Sequence, residues 1–284
     1  MNPSLALARP GVAGLAALGS LAAHVAAAGR LDAAGIKVAA CTAAAAGGAL
    51  ALNQVQERFA DARMLRTSGR PLPAGMLSPA SARGRAAGLL VLGLAGLAAV
   101  AGPLPAALAG LAVLVYNGVY TPLKRRTVFA QLAGSVSGAL IPAIGWAAAG
   151  GAVDAPPLRA LMVFFALWQM PHAWLLVLSR PGDHERGGFV PPMRGLARSQ
   201  VARVLLVWTA AAVVSAATLP AFGLLRPLPW AACLGAGGWM IVRVLRASAE
   251  GAADGAATRK AFAAANTFAL VTLLAILAGP AFRI

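Results

Sequence analysis

The sequence predicts an all-α membrane protein: a bundle of about nine transmembrane helices in a single domain, residues 1–284. Three observations carry that expectation. The chain is 60% hydrophobic and 11% charged, with a mean hydropathy of +0.76, whereas a soluble domain carries about 25% charged residues. Nine apolar segments recur along it, several near the ~20 residues that cross a bilayer. The basic residues between them favour alternate connections. A net charge of +16 would suggest nucleic acid in a soluble protein. Here it sits between apolar spans, where membrane topology explains it first, so no nucleic-acid partner is expected.

The first segment, 10–29, follows Arg9 and ends in AHVAAAG, like a signal peptide. Many similar segments follow, so a retained first span is expected. His24 lies inside it with no partner in sequence and reads as a core histidine. The next segments are 34–54, 86–102, 104–121 and 128–150. The last of these holds Gly134 and Gly138, a GxxxG step that permits close helix packing. It also holds Pro142, which kinks or opens a helix. Segments 158–179, 201–222, 228–245 and 262–280 complete the set. In lipid the backbone must satisfy its own hydrogen bonds, so each segment reads as helix. Cys41 and Cys233 lie far apart in apolar segments, lack metal-binding spacing, and read as buried thiols.

Of 24 basic residues, 19 fall with Arg9 and the even-to-odd connections. These hold Arg58, Arg63, Arg66, Arg70, Arg83 and Arg85; Lys124, Arg125 and Arg126; Arg180, Arg186, Arg194, Arg198 and Arg203; and Arg243, Arg246, Arg259 and Lys260. Arg30, Lys37, Arg159, Arg226 and Arg283 fall on the other side. The positive-inside rule puts the N-terminus and the richer loops in the cytoplasm and the C-terminus outside. Orientation does not account for acids. Yet Glu57, Asp61, Asp183 and Glu185, four of the eight in the chain, lie in two of those basic loops. Asp154, Glu250 and Asp254 read as solvated loop charges.

On a helix, positions i, i+4 and i+8 stand about 40° apart in succession, so Asn53, Glu57 and Asp61 form one polar ridge. Oxygen ligands in such a row suit Mg²⁺, which keeps several waters and bridges one or two carboxylates to substrate phosphates. Arg66 and Arg70 follow closely and present the planar fork that holds phosphate oxygens. The competing reading is a solvated helix end with i,i+4 ion pairs. The second acidic loop on the same side favours the metal–diphosphate reading.

The stretch NQVQERFADARMLRTSGRPLPAG (53–75) resembles the NxxxDxxxDxxMxRTxxRPL segment of the heme O synthase family, the protoheme IX farnesyltransferases. These are UbiA-type intramembrane prenyltransferases. The resemblance continues, in order, through YTPLKRRT (120–127), GSVSGALIPAIGWAAAGG (134–151), LWQMPHAW (167–174) and, more loosely, GDHERGGFVPPM (182–193). It implies a UbiA-type fold in the cell inner membrane. The activity it implies is Mg²⁺-dependent transfer of farnesyl from farnesyl diphosphate to a vinyl group of heme B, with water completing heme O. It also implies a partner in heme A synthase or a terminal oxidase assembly, besides the lipid bilayer. Carried over residue by residue, Asn53, Glu57, Asp61 and Asp183 become metal ligands, with Asp61 and Asp183 catalytic. Asn53, Arg66, Arg70, Lys124 and Arg125 become substrate contacts, and His172 a contact near heme iron or a propionate. From their own chemistry Trp146, Trp168 and Trp174 read either as wall of a prenyl cavity or as anchors at the membrane interface.

The sequence departs from the family at Glu57, where Asp is usual, at His184, where Tyr is usual, and in the order VPPM. Two other readings stand beside the first. One is a related prenyltransferase with a quinone-precursor or other aromatic acceptor. The other is a non-catalytic membrane protein that binds lipid or heme. A transporter is disfavoured, because its polar residues belong at mid-span.

Overall fold

The computed structural model describes residues 2–180, 182–191, 193–250 and 255–279. Asp254, Arg283 and the C-terminus, placed by loop counting above, lie outside those residues. Among the described residues the chain forms helices and no strands. Short α1 (Pro3–Ala8) precedes α2 (Pro10–Ala28), α3 (Ala33–Arg63) and α4 (Pro79–Ala101). Next, α5 (Pro103–Val113) passes into a π-helix (Leu114–Tyr120) and short α6 (Thr121–Leu123). Then come α7 (Ala130–Ala148), α8 (Pro156–Leu178), short α9 (Asp183–Arg186), α10 (Arg198–Ala217), α11 (Pro227–Ala249) and α12 (Gly255–Ala278).

The nine expected spans are all present, with shifted ends. The segment 34–54 is only part of a 31-residue helix. Its polar continuation QERFADAR holds good helix formers and no Gly or Pro, so α3 runs on to Arg63. The segment 86–102 begins earlier, at Pro79. There Ser78 accepts from the Ser81 amide at 3.2 Å, and Pro79 takes the first helical position. That start signal sits in polar residues that an apolar count passes over. The segment 201–222 stops at Ala217 and finishes in a 3₁₀ turn around Pro220.

Among the described residues eight helices, counting 103–123 as one, are long and apolar enough to cross a membrane. The ninth, α7, carries Gln131, Ser135, Ser137, Pro142 and three glycines, and it is an inner helix packed on α2, α5 and α8. The neighbours form a ring: α3 on α4, α4 on α5, α5 on α7, α7 on α8, α8 on α10, α10 on α11, α11 on α12, and α12 back on α2. Phe164 and Phe268 meet edge to face at 5.8 Å in its core.

Small residues set the closest crossings. A methyl on Gly145 would lie 1.8 Å from the Ser20 carbonyl oxygen, and one on Gly93 would lie 2.4 Å from the Ala45 nitrogen. The GxxxG step at Gly134 and Gly138 is not a seam against one helix. Gly134 lies under the Tyr120 ring and Gly138 under the Gln169 amide. His24 finds its partner eight residues on: its Nε2 lies 3.1 Å from Asp32 Oδ1, which also accepts from the Gly35 amide and caps α3.

Candidate active site at the loop end of the bundle

The last turns of α3, the π-helix, the start of α7 and the end of α8 meet segment 182–190 around a cavity of about 120 Å³. That is roughly the share of four waters in the liquid. It can take a diphosphate-sized group.

The ridge expected on α3 forms one wall. Asn53, Glu57 and Asp61 line the cavity and are 3%, 4% and 0% exposed. Burial of this degree excludes the solvated helix end. The Asp61 carbonyl accepts from the buried Thr67 hydroxyl at 2.9 Å, which turns the chain back so that Arg70 faces α3. Arg70 Nη1 then reaches Asp61 Oδ2 at 2.7 Å, and Asp61 Oδ1 remains buried without a hydrogen-bond partner. Glu57 Oε1 lies 2.6 Å from Lys124 Nζ, so the longer arm of Glu spans from α3 to the residue after α6. Asn53 Nδ2 donates to Thr121 Oγ1 at 3.0 Å, and Thr121 donates to the Tyr116 carbonyl at 2.8 Å.

Three more hydrogen bonds fasten the π-helix to α3. Asn117 Nδ2 donates to the Ala49 carbonyl and to Gln56 Oε1, each at 3.0 Å, and Gln56 Nε2 donates to the Asn117 carbonyl at 3.1 Å. A π-helix widens the turn, which suits a functional site. Here it presents both Tyr116 and Tyr120 to the cavity. Lys124 Nζ then sits 4.8 Å from the Tyr120 ring centre and 5.2 Å from that of Phe189.

The structure brings Asn53, Glu57, Asp61, Arg66, Arg70 and Lys124 together on this cavity. Three other expected residues lie off it. Asp183 is buried, but Oδ1 accepts from the Leu65 amide at 2.7 Å and Oδ2 from the Arg66 amide at 3.3 Å. Its carboxylate clasps the two acidic loops together. Arg125 is exposed, with its guanidinium 5.8 Å from the Phe189 ring. His172 packs between the Trp168 and Phe262 rings, 4.9 Å from each centre. Of the three tryptophans only Trp174 lines the cavity; Trp146 and Trp168 donate to the Ala152 and Ala265 carbonyls.

Residues without an assigned role also line it: Arg9, Tyr116, Tyr120, Gln131, His184 and Phe189. Tyr116 and Tyr120, polar residues one turn apart at the end of an apolar span, were the available signal. Burial, reinforced by Lys124 and Arg66, pushes the His184 imidazole down to about 4, so it is neutral at pH 7. The Arg66 guanidinium is lowered first by burial, then by Arg70, Arg9 and Arg180. Among the described residues neither Arg9 nor Arg66 has an acidic group within ion-pair distance. Such crowded, unmatched cations call for an anionic ligand.

The model of the UbiA prenyltransferase family matches residues 13–267. The chain belongs to that family. It is 45% identical over 192 residues to a protoheme IX farnesyltransferase of Geobacter sulfurreducens, covering 67% of this chain and 70% of that one. A protoheme IX farnesyltransferase of Anaeromyxobacter sp. is 40% identical over 233 residues, 82% and 75% of the two chains. Among solved structures, a UbiA homolog from Aeropyrum pernix superposes with a TM-score of 0.74 at 17% identity, covering 94% of this chain and 98% of that one. A UbiA homolog from Archaeoglobus fulgidus, bound to DMAPP and Mg²⁺, gives 0.62 at 17% identity over 98% and 99%. These likenesses carry the UbiA fold. Family membership and the apolar helices make the chain an integral membrane protein.

Proposed function

We propose that this UbiA-family protein transfers a farnesyl group from farnesyl diphosphate to a vinyl group of heme B, giving heme O. The observation that carries the diphosphate half is the pairing of a buried carboxylate ridge with cations that lack acidic partners on one cavity. The acceptor rests on the identity with protoheme IX farnesyltransferases of other organisms and on the ordered motifs.

The residues present fit Mg²⁺. Among the described residues no three His, Cys, Asp or Glu side chains converge as a cage. Mg²⁺ needs none, since it takes one or two carboxylates and completes its shell with water and phosphate oxygens. Asp61 Oδ1, buried and unpartnered, is the oxygen such an ion would satisfy, with Glu57 and Asn53 beside it. When bound, the ion neutralises the diphosphate and makes it a better leaving group. Asp183 does not line the cavity, and both of its oxygens accept amides from the Leu65–Arg66 turn, so we assign it first to closing the site.

The chain's own groups account for the rest. Arg66, Arg70, Lys124 and Arg9 hold the diphosphate oxygens as the C–O bond breaks. Tyr116, Tyr120, Phe189 and Trp174 face the developing allylic cation with π density. The apolar end of α8, with Trp174, Leu176 and Val177 on the cavity, keeps water from it until the vinyl carbon has attacked. In this reading the site end of the bundle faces the cytoplasm across an inner membrane, which the excess of loop arginines supports. The 1–284 chain acts as one domain in this account, and a heme A synthase or oxidase assembly that takes up heme O is its natural partner.

Purified protein incubated with heme B, farnesyl diphosphate and Mg²⁺ is expected to yield farnesylated heme by mass spectrometry. No such product, with prenylation of a hydroxybenzoate or naphthoate instead, would transfer the assignment to an aromatic acceptor.

A further inference from the structure

Arg9 enters the cavity from an unusual backbone position. It is the one non-glycine residue with a positive φ among the described residues, at φ 51° and ψ 67°. Its amide ends α1 by donating to the Ala6 carbonyl, and its carbonyl starts α2 by accepting from Val12 and Ala13. Pro10 follows and has no amide hydrogen to give. The break therefore leaves the last carbonyls of α1 without their helical donors. One of them is taken from outside: Gln54 Nε2 on α3 donates to the Leu7 carbonyl at 2.7 Å. Gln54 is 0% exposed and Leu7 1%. Gly47, two turns earlier on α3, lies beside Ala8; a methyl there would stand 3.4 Å from the Ala8 Cβ, an ordinary packing distance. Arg85 on α4 holds the Ser4 hydroxyl at the other end of α1.

Gln54 stands directly beside Asn53, on the neighbouring face of the helix that carries the carboxylate ridge. The end of α3 thus presents Asn53, Glu57 and Asp61 to the cavity and, through Gln54, grips the segment that delivers Arg9. A left-handed arginine is disfavoured and persists only where its surroundings fix it.

We propose that Gln54 is a positioning residue. Through the Leu7 carbonyl it holds the α1–α2 joint left-handed and so keeps the Arg9 guanidinium on the cavity wall, where it contributes to isoprenyl-diphosphate affinity. This rests on the diphosphate reading of the cavity, and it is independent of which acceptor is used.

The test is binding of farnesyl S-thiolodiphosphate, which cannot react, to the full-length protein in lipid nanodiscs with Mg²⁺. If the wild type shows no Mg²⁺-dependent binding, the diphosphate reading itself fails. Given that binding, Arg9→Ala is expected to weaken it about tenfold, the scale of a lost charge-assisted contact. Gln54→Met, similar in volume but without the donor, is expected to weaken it several-fold. The double variant is expected to bind no more weakly than Arg9→Ala alone, because the two residues act in series. A general packing defect would instead multiply the two losses. Wild-type affinity in Gln54→Met, or a double variant weakened by the product of the singles, overturns the proposal. Should Gln54→Met fail to fold, Gln54→Asn keeps the amide, cannot reach Leu7, and carries the same expectation.

Discussion

Asp61 concentrates the account at the residue scale. It is wholly buried, one oxygen is matched by Arg70 and the other has no hydrogen-bond partner among the described residues. Asp61→Asn keeps the shape and removes the charge. It is expected to cut turnover by more than about 100-fold, roughly 2.7 kcal/mol of barrier. The thermal midpoint should move little, and a steady-state assay beside a melting curve separates the two effects. Glu57 gives a graded prediction, because its extra methylene is what reaches Lys124. Glu57→Asp withdraws the carboxylate from that contact, with an expected loss of about tenfold at subsaturating Mg²⁺. Glu57→Gln should lose more, on the order of the Asp61 variant. A Mg²⁺ titration of initial rates distinguishes them: the Asp variant should recover at high Mg²⁺ and the Gln variant should not. Such a result would make the departure from the family's Asp a shift in reach and not a lost ligand.

At the scale of elements, the π-helix is the part that makes the site more than a charged helix end. It is pinned to α3 by the Asn117–Gln56 exchange and by Asn117 on Ala49. Asn117→Ala removes two donated bonds, one to the Ala49 carbonyl and one to the exposed Gln56 side chain. The expected loss is about 1–2 kcal/mol of stability, at about 1 kcal/mol per bond. Guanidinium unfolding in mixed micelles reads the stability, and a raised KM for the diphosphate is expected beside it. Helix crossings give a contrast. Gly145→Ala drives a methyl into the Ser20 carbonyl, which is rigid backbone. It should destabilise by about 2–3 kcal/mol, the range for overpacked cores. Gly134→Ala meets the side chains of Tyr120 at 3.1 Å and Gln131 at 3.3 Å, and no backbone, and should cost less. Much of this layer was hidden in the sequence. The ridge 53, 57, 61 followed from helical spacing alone, and its burial agrees with it. The π-turn, the Gln54–Leu7 contact and the entry of Arg9 depend on which helices become neighbours, and no local pattern encodes that. Asp183 and His172 were singled out by motif, yet their surroundings, amides for one and aromatic rings for the other, come from tertiary packing.

For the whole molecule, composition and loop charge already implied a nine-helix bundle with its chemistry at one end. The cavity lies among the connections richest in arginine, as that reading requires. Segment ends moved because polar caps such as Ser78 and helix-forming stretches such as QERFADAR carry a helix past its apolar core. Orientation is testable with a single cysteine at exposed Ser68, in a background lacking Cys41 and Cys233. An impermeant maleimide should label it only after the cytoplasmic face is opened. The central claim is that the α3 ridge is half of a metal–diphosphate site. A structure of the protein with Mn²⁺ and farnesyl S-thiolodiphosphate measures it most directly. The account predicts an anomalous peak bonded to Asp61 Oδ1, with Glu57 or Asn53 beside it and the diphosphate against Arg66 and Lys124. A metal bound with no oxygen from Asn53, Glu57 or Asp61 in its shell would contradict it.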